Sequence, residues 1–206
     1  VQRNLLPRKA PDIPGVEFAG HCVPAKRVGG DYFDFFPDPE GNVGIVVADV
    51  SGHSISSGIM MAITRGLLQS EAIQNKRPSL LLQDVNRILF NDLVSSELFI
   101  TMAYFLYSPE SRRLAYANGG HNPPVLLRAG SDEPQLLDAE GMAMGFLPDV
   151  EFGEKGWELA PGDLLVAYTD GLVEAGSGQG TPFGMERLTD CIRRDRHKPA
   201  AGILQG

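Results

Sequence analysis

The sequence predicts an α+β fold in which two antiparallel sheets stack on each other and helices cover the outside. Short apolar runs bounded by glycine and proline recur along most of the chain, which is typical of strands joined by turns. A pair of helical segments interrupts these runs once, and one further helical segment follows the last of them. Short turns favour antiparallel pairing, and blocks of strands separated by helices favour α+β layers over an alternating βαβ fold.

The predicted strands are rich in β-branched and aromatic residues. They cover positions 16–23, 32–36, 44–50, 99–107, 113–118, 125–128, 135–137 and 163–168. A helix is predicted over 56–70 because Ile59, Ile63 and Leu67 are spaced by four. A second helix follows Pro78, which suits a first helical turn, and a third covers 183–194.

Composition limits the classes of function. The 206 residues suit one large domain, and the net charge of -8 makes nucleic acid an unexpected partner because phosphate backbones are repelled. No run approaches the ~20 apolar residues that span a bilayer, so membrane insertion is not expected. The two cysteines, Cys22 and Cys191, form no CxxC pattern. They suggest neither a zinc ribbon nor a disulfide framework, and they fit a reducing cytoplasm, the predicted location.

Three aspartates stand where predicted strands begin or end. Asp31 follows two glycines, Asp49 ends the run at 44–50, and Asp170 follows the run at 163–168 and precedes Gly171. Carboxylates at strand ends can converge at one edge of a sandwich, and hard divalent cations such as Mg²⁺ and Mn²⁺ prefer oxygen ligands. The alternative is that these acidic residues only flank strands at the surface, and the residues alone leave it open.

Five segments in one order carry a family resemblance. They read VGGDYFD at 28–34, ADVSGH at 48–53, FITM at 99–102, NGGHNP at 118–123 and GDLLVAYTDG at 162–171. Together they resemble the SpoIIE/RsbU-type serine phosphatases, a bacterial branch of the PPM metal-dependent phosphatases, from about residue 2 to residue 188. The resemblance implies the PPM fold, a four-layer α/β-sandwich of two mainly antiparallel sheets flanked by helices.

The resemblance also implies two Mn²⁺ or Mg²⁺ ions at one end of the sandwich. Asp49 matches the catalytic ligand that bridges both ions, and the carbonyl of Val50 adds a backbone ligand. Asp31 matches a ligand of one ion and Asp170 a ligand of the other. Asp34 is assigned a supporting role, with direct ligation as the alternative.

The implied reaction is hydrolysis of phosphoserine or phosphothreonine by water activated between the ions, without a covalent phosphoenzyme. His53 could donate a proton to the leaving serine oxygen, or it could only help to start the next helix. His121 is expected to shape its loop beside the site. Lys26 and Arg27 could meet the substrate phosphate or form a solvated surface.

Two features depart from the family pattern. Ser54 stands where the family usually has glycine. The family also places one more aspartate on a strand beyond the last helix, and this sequence shows none. The domain at 8–206 is therefore predicted to lack its C-terminal strand and to hold the ion at Asp170 weakly. Residues 1–7 resemble the end of a linker helix from an upstream receiver or sensor domain, often within a homodimer.

The expected substrate is a phosphorylated STAS-domain anti-sigma-factor antagonist, whose dephosphorylation releases a sigma factor through partner switching. The alternative is a catalytically weak binding module of a response regulator that keeps the fold and recruits a partner. Intact Asp31, Asp49 and Asp170 favour the enzyme, and the missing terminal aspartate favours the binding module. Metal-dependent hydrolysis discriminates between the two.

Overall fold

A computed structural model describes residues 5–24, 29–72, 74, 77–176 and 180–205. Two antiparallel sheets form its centre, with five strands in the first and three in the second. The strands are β1 (Tyr32–Pro37), β2 (Val43–Val50), β3 (Ile100–Ser108), β4 (Arg113–Gly119), β5 (Val125–Leu127), β6 (Gln135–Leu136), β7 (Glu154–Glu158) and β8 (Leu164–Val166). The order is β1-β2-β3-β4-β7 in the first sheet and β6-β5-β8 in the second.

Two long helices and three shorter ones complete the described chain. They are α1 (Ile55–Ala72), α2 (Pro78–Ser95), α3 (Asp170–Val173), α4 (Gly184–Asp195) and α5 (Ala200–Ile203). Pro78 opens α2, where its missing N–H costs no helical hydrogen bond. The N–H and hydroxyl of Ser79 both donate to the Glu154 carboxylate, at 3.1 and 2.9 Å. This contact ties the start of α2 to β7.

The side chains of the first sheet alternate between two cores. Val46, Ala48 and Met102 point to one face and pack with Met61 of α1 and Leu82 of α2. The other face packs on the second sheet through a cluster that includes Phe105, Tyr116 and Leu126. Beyond the second sheet, Leu188 and Ile192 of α4 cover Val125 and Leu127. The layers are therefore helices, sheet, sheet and helix, and the predicted four-layer α+β sandwich is confirmed.

The predicted strand at 16–23 is wrong. Its only ladder contact among the described residues is an isolated bridge between Ile13 and Val16. At Gly20 the chain runs so close to the aromatic ring of Phe33 that a Cβ would lie 2.2 Å from a ring carbon. The segment packs beside β1 without joining it. Strand β7 was not predicted, because its sequence EKGWE lacks the apolar alternation of a half-buried strand.

Helix α1 is where predicted, but the face marked by its isoleucines is not the buried one. Ile59 and Ile63 are 57% and 46% exposed. The buried stripe contains Ser57 and Thr64 beside its methionines. These hydroxyls can be buried because each satisfies its hydrogen bond locally, Ser57 to the Ser51 carbonyl and Thr64 to the Met60 carbonyl, both at 2.8 Å.

The chain termini leave two predictions open. Leu5 and Leu6 pack against the first core, in a turn and bend rather than a helix, and positions 1–4 of the predicted linker lie outside the described residues. The edge of β8 that faces away from β5 has no partner among the described strands. The missing C-terminal strand therefore stays a prediction. In the part of the chain that is described, none of the helices combines the length and apolar character needed to cross a bilayer.

Candidate metal centre

The register of the first sheet sets Asp31, Asp49 and Thr101 in one row. Tyr32 pairs with Ala48, and the Val50 N–H donates to the Gly30 carbonyl at 3.3 Å, so Asp31 lies opposite Asp49. On the other side, Asp49 pairs directly with Thr101 of β3. Because Ala48 and Val50 face the helices, Asp49 between them faces the second sheet.

Gly30 brings the start of β1 unusually close to the end of β2. A Cβ at this position would lie 2.0 Å from the Val50 carbonyl oxygen and 2.6 Å from Oδ1 of Asp49. Real Cβ atoms do not approach backbone so closely, so this crossing requires glycine. The close approach places the Val50 carbonyl and the Asp49 carboxylate side by side at one end of the sandwich.

Asp170 reaches the same place from the second sheet. It begins α3, four residues after the end of β8. The pKa of Asp49 is raised to about 7, mainly by burial and also by the charges of Asp31 and Asp170. The pKa of Asp31 is raised mainly by burial and also by Asp170, while a hydrogen bond from the Thr169 hydroxyl opposes the shift. The three carboxylates therefore share one electrostatic environment.

The donor set fits hard divalent cations. The carboxylates and the adjacent Val50 carbonyl supply only oxygen, which Mg²⁺ and Mn²⁺ prefer. Clustered carboxylates repel one another, and this repulsion is why Asp31 and Asp170 raise the pKa of Asp49. Among the described residues, no three or more histidine, cysteine, aspartate or glutamate side chains lie close enough together to hold a metal ion as they stand. The residues are neighbours that a cation would draw together, and their roles as ligands stay a prediction.

Asp34 lies on the opposite face of β1 from the carboxylate row. It pairs with Val46, on the side covered by α1. Its Oδ2 accepts a hydrogen bond from the Tyr32 hydroxyl at 2.7 Å and lies 3.6 Å from Nε of Arg65. Asp34 thus links β1 to α1, which fits the supporting role and not direct ligation.

Cys22 lies near the carboxylates but is not suited to attack phosphorus. The pKa of its thiol is raised to about 11, mainly by burial and also by the charge of Asp31. A thiol with this pKa stays protonated at neutral pH, and the thiolate is the nucleophilic form. The other cysteine, Cys191, is on α4.

His53 is exposed in the bend between β2 and α1, after Gly52 with its positive φ of 81°. Both predicted roles, proton donor and helix start, stay open at this position. Lys26 and Arg27, predicted as phosphate contacts or as a solvated surface, lie outside the described residues.

The loop at 118–123 packs beside the row. His121 is buried, and its Nδ1 lies 2.8 Å from the Thr101 hydroxyl. Burial lowers the pKa of His121 to about 4, opposed by the Tyr168 carbonyl and by the charge of Asp170. Thr101 was not predicted as part of the site. The signal was present, because Thr101 alternates with the apolar Ile100 and Met102 and so takes the opposite face.

A family model described as Stage II sporulation protein E (SpoIIE) matches residues 39–206. This chain belongs to the SpoIIE family. One relative is the phosphoserine phosphatase RsbU of Bacillus subtilis (strain 168), 30% identical over 180 residues, which are 87% of this chain and 53% of RsbU. The SpoIIE-family chain therefore spans about half the length of that relative.

Solved structures show the same fold. The SiaA-PP2C domain of Pseudomonas aeruginosa matches with a TM-score of 0.72 and 24% identity, covering 86% of this chain and 71% of that one. RsbX in complex with magnesium matches with a TM-score of 0.61 and 15% identity, covering 86% and 84%. This SpoIIE-family member thus has a PP2C-type phosphatase fold, as the motif order predicted.

Proposed function

We propose that this chain is a protein serine/threonine phosphatase that uses Mg²⁺ or Mn²⁺ to hydrolyse phosphoserine or phosphothreonine. The observation that carries the proposal is that Asp31 lies opposite Asp49 in the first sheet, with Asp170 close enough for its charge to raise the pKa of both. Membership of the SpoIIE family and the likeness to the phosphoserine phosphatase RsbU support it. The magnesium complex of RsbX supports the choice of cation.

The proposed roles follow from position. Asp49 stands in the middle of the row, between Asp31 and Thr101, and its proposed role is to contact both ions. Asp31 and the Val50 carbonyl would hold one of them, and Asp170 the other. Two ions held there would activate a water molecule and neutralise charge on the phosphoryl oxygens.

The experiment measures release of phosphate from a phosphoserine peptide by the full chain with Mn²⁺, with Mg²⁺ and with excess chelator. We expect hydrolysis only with a divalent cation. Asp49→Asn should abolish it, whereas Asp149→Asn, which alters an exposed aspartate, should leave it unchanged. Hydrolysis that persists in chelator, or an Asp49→Asn variant as active as wild type, would contradict the proposal.

His53 is proposed as the proton donor to the leaving oxygen, because it is exposed and lies four residues after Asp49. A serine alkoxide needs that proton far more than p-nitrophenolate does. His53→Gln should therefore slow phosphoserine hydrolysis by about 100-fold, within the range for general acid catalysis, and p-nitrophenyl phosphate hydrolysis much less. Equal losses on the two substrates would assign His53 to helix initiation instead.

The proposed natural substrate is a phosphorylated STAS-domain anti-sigma-factor antagonist, in a partner-switching pathway. The family resemblance of the five motifs supports this choice. The test compares kcat/KM for an intact phosphorylated STAS-domain protein and for a short phosphopeptide with the same serine. A preference for the intact protein supports the proposal, and equal values contradict it.

An upstream receiver or sensor domain and a homodimer are proposed on the same resemblance, and light scattering of the whole protein tests the dimer.

A further inference from the structure

His121 bridges the two parts of the candidate metal centre. On one side its Nδ1 lies 2.8 Å from the hydroxyl of Thr101, the residue paired with Asp49. On the other side the ring faces the backbone carbonyl of Tyr168, two residues before Asp170. The imidazole thus stands between a strand of the first sheet and the segment that leads out of the second.

The backbone holds this imidazole in place. The Asn118 side chain accepts from the His121 N–H at 2.7 Å and donates to the His121 carbonyl at 2.9 Å. Gly120 has a positive φ of 68°, and a Cβ there would lie 2.5 Å from the backbone nitrogen of Ala143. These contacts fix the loop before any ligand arrives, so the ring position is a property of the fold.

The neighbours of the ring select one tautomer. A carbonyl oxygen only accepts hydrogen bonds, whereas a threonine hydroxyl both donates and accepts. The arrangement that avoids two facing lone pairs puts the proton on Nε2, toward Tyr168, and leaves Nδ1 to accept from Thr101. The Nε2 atom is buried and forms no hydrogen bond with any described residue, so the Tyr168 carbonyl is a neighbour of the ring and not a full hydrogen-bond partner.

Besides this loop, two contacts hold the segment around Asp170: the Thr169 hydroxyl donates to Asp31, and Tyr168 packs in the core cluster with Leu188 and Ile192. Strand β8 has only three residues, all half-buried, before the chain reaches Tyr168. The Tyr168 hydroxyl contacts Sδ of Met185 at 2.9 Å and forms a hydrogen bond with the Asn122 side chain, which belongs to the same loop as His121. The loop therefore contacts Tyr168 at both its carbonyl and its hydroxyl.

We propose that His121 is a positioning residue that sets the separation between Asp170 and Asp49, by holding Thr101 and the Tyr168 carbonyl at fixed distances from one imidazole ring. This inference rests on the proposed function, since it concerns the same metal centre. The imidazole touches neither substrate nor the reacting atoms in this role. It acts through the backbone that carries Asp170.

The experiment titrates Mn²⁺ into the full chain by calorimetry, without substrate. His121→Ala should weaken the ion at Asp170 by about tenfold or more, in the range seen when groups that orient ligands are removed, and leave the other ion nearly unchanged. Thr101→Val removes the donor to Nδ1 and should weaken the same ion, whereas Thr101→Ser should restore its affinity. The valine variant keeps the shape of threonine and remains informative if His121→Ala does not fold.

Asn86→Ala is the matched control, because Asn86 is also buried and holds another loop through the Leu147 and Pro148 carbonyls, both at 3.0 Å. It should lower the melting temperature without changing Mn²⁺ affinity.

Nitrogen NMR of the wild-type ring should show the proton on Nε2. Wild-type Mn²⁺ affinity in His121→Ala and Thr101→Val, or a proton on Nδ1, would overturn this inference alone. A wild-type chain that binds no Mn²⁺ and hydrolyses no phosphoserine would overturn the proposed function with it.

Discussion

The two sheets differ in how firmly they hold the carboxylates of the candidate metal centre. Asp49 lies near the end of an eight-residue strand that is hydrogen-bonded on both sides, to β1 and to β3. Asp170 follows a three-residue strand whose side chains are all half-buried and which pairs with β5 alone among the described strands. The first sheet also has a helix pair over its outer face, with Leu82 and Met61 fully buried beneath.

This difference indicates that Asp31 and Asp49 are held firmly by the core of the first sheet, whereas the position of Asp170 can change more easily. Local stability follows the number of buried contacts and paired backbone groups, so Asp31 and Asp49 should keep their places when Asp170 moves. Binding of a second ion would then depend on how well the Tyr168–Asp170 segment is held. Substitutions in the two halves should separate these properties.

The largest effect is expected at the carboxylates themselves. Asp49→Asn should remove binding of both ions and lower phosphoserine hydrolysis by at least about 1,000-fold, or roughly 4 kcal/mol of transition-state stabilisation. Asp170→Asn should remove one ion and leave the other bound. Calorimetric Mn²⁺ titration counts the sites, and circular dichroism checks that both variants fold. Loss of both ions in Asp170→Asn would show that the two halves do not bind independently.

A smaller difference is expected in stability. Leu82→Ala opens a cavity under the first sheet and should lower the free energy of unfolding by about 3 kcal/mol. Leu165→Ala, in the half-buried β8, should cost about 1 kcal/mol because less packing is lost. Denaturant unfolding without metal measures both, with the 46% exposed Leu80→Ala as the control on the helix surface. Equal losses at Leu82 and Leu165 would refute the contrast between the sheets.

The smallest effect is a pH dependence of the metal-free chain. The pKa of Asp49 is raised from 3.8 to about 7 in the folded protein, so the folded state binds the proton more tightly than the unfolded state does. The contribution of this group to stability is fully present below about pH 4 and is lost as the pH rises toward about 7. Thermal unfolding in chelator should therefore show Asp49→Asn gaining stability relative to wild type across this window. A difference that does not change with pH would mean that folding does not raise the pKa of Asp49.

The sequence predicted four of the five strands of the first sheet, because their patterns are local. The run at 44–50 shows little alternation of apolar and polar residues but is strongly apolar. It lies in β2, with Asp49 next to the end of the strand. Glycines beside Asp31 marked a close backbone approach, which Gly30 makes. The five motifs then supplied the four-layer sandwich through the family resemblance.

Other features depend on contacts that no local pattern encodes. Strand β7 forms because Glu154 caps α2 and Trp157 pairs with Leu114, two contacts made by residues distant in sequence. The buried face of α1 uses Ser57 and Thr64, whose hydroxyls bond nearby carbonyls, so the isoleucine spacing indicated the wrong face. Thr101 joined the site through strand register, which is set by the whole sheet.

The close backbone approach at Gly30 also limits which amino acids this position can accept. A Cβ atom at position 30 would lie 2.0 Å from the Val50 carbonyl oxygen. Moving the backbone of β1 or of β2 apart to make room would displace Asp31 or Asp49. Every codon change at this position that replaces glycine should therefore be lost when a saturation library is selected for phosphatase activity. At Gly41, where no atom lies within 4 Å of the added carbon, the barrier is the positive φ of 87° alone, and asparagine should survive the same selection.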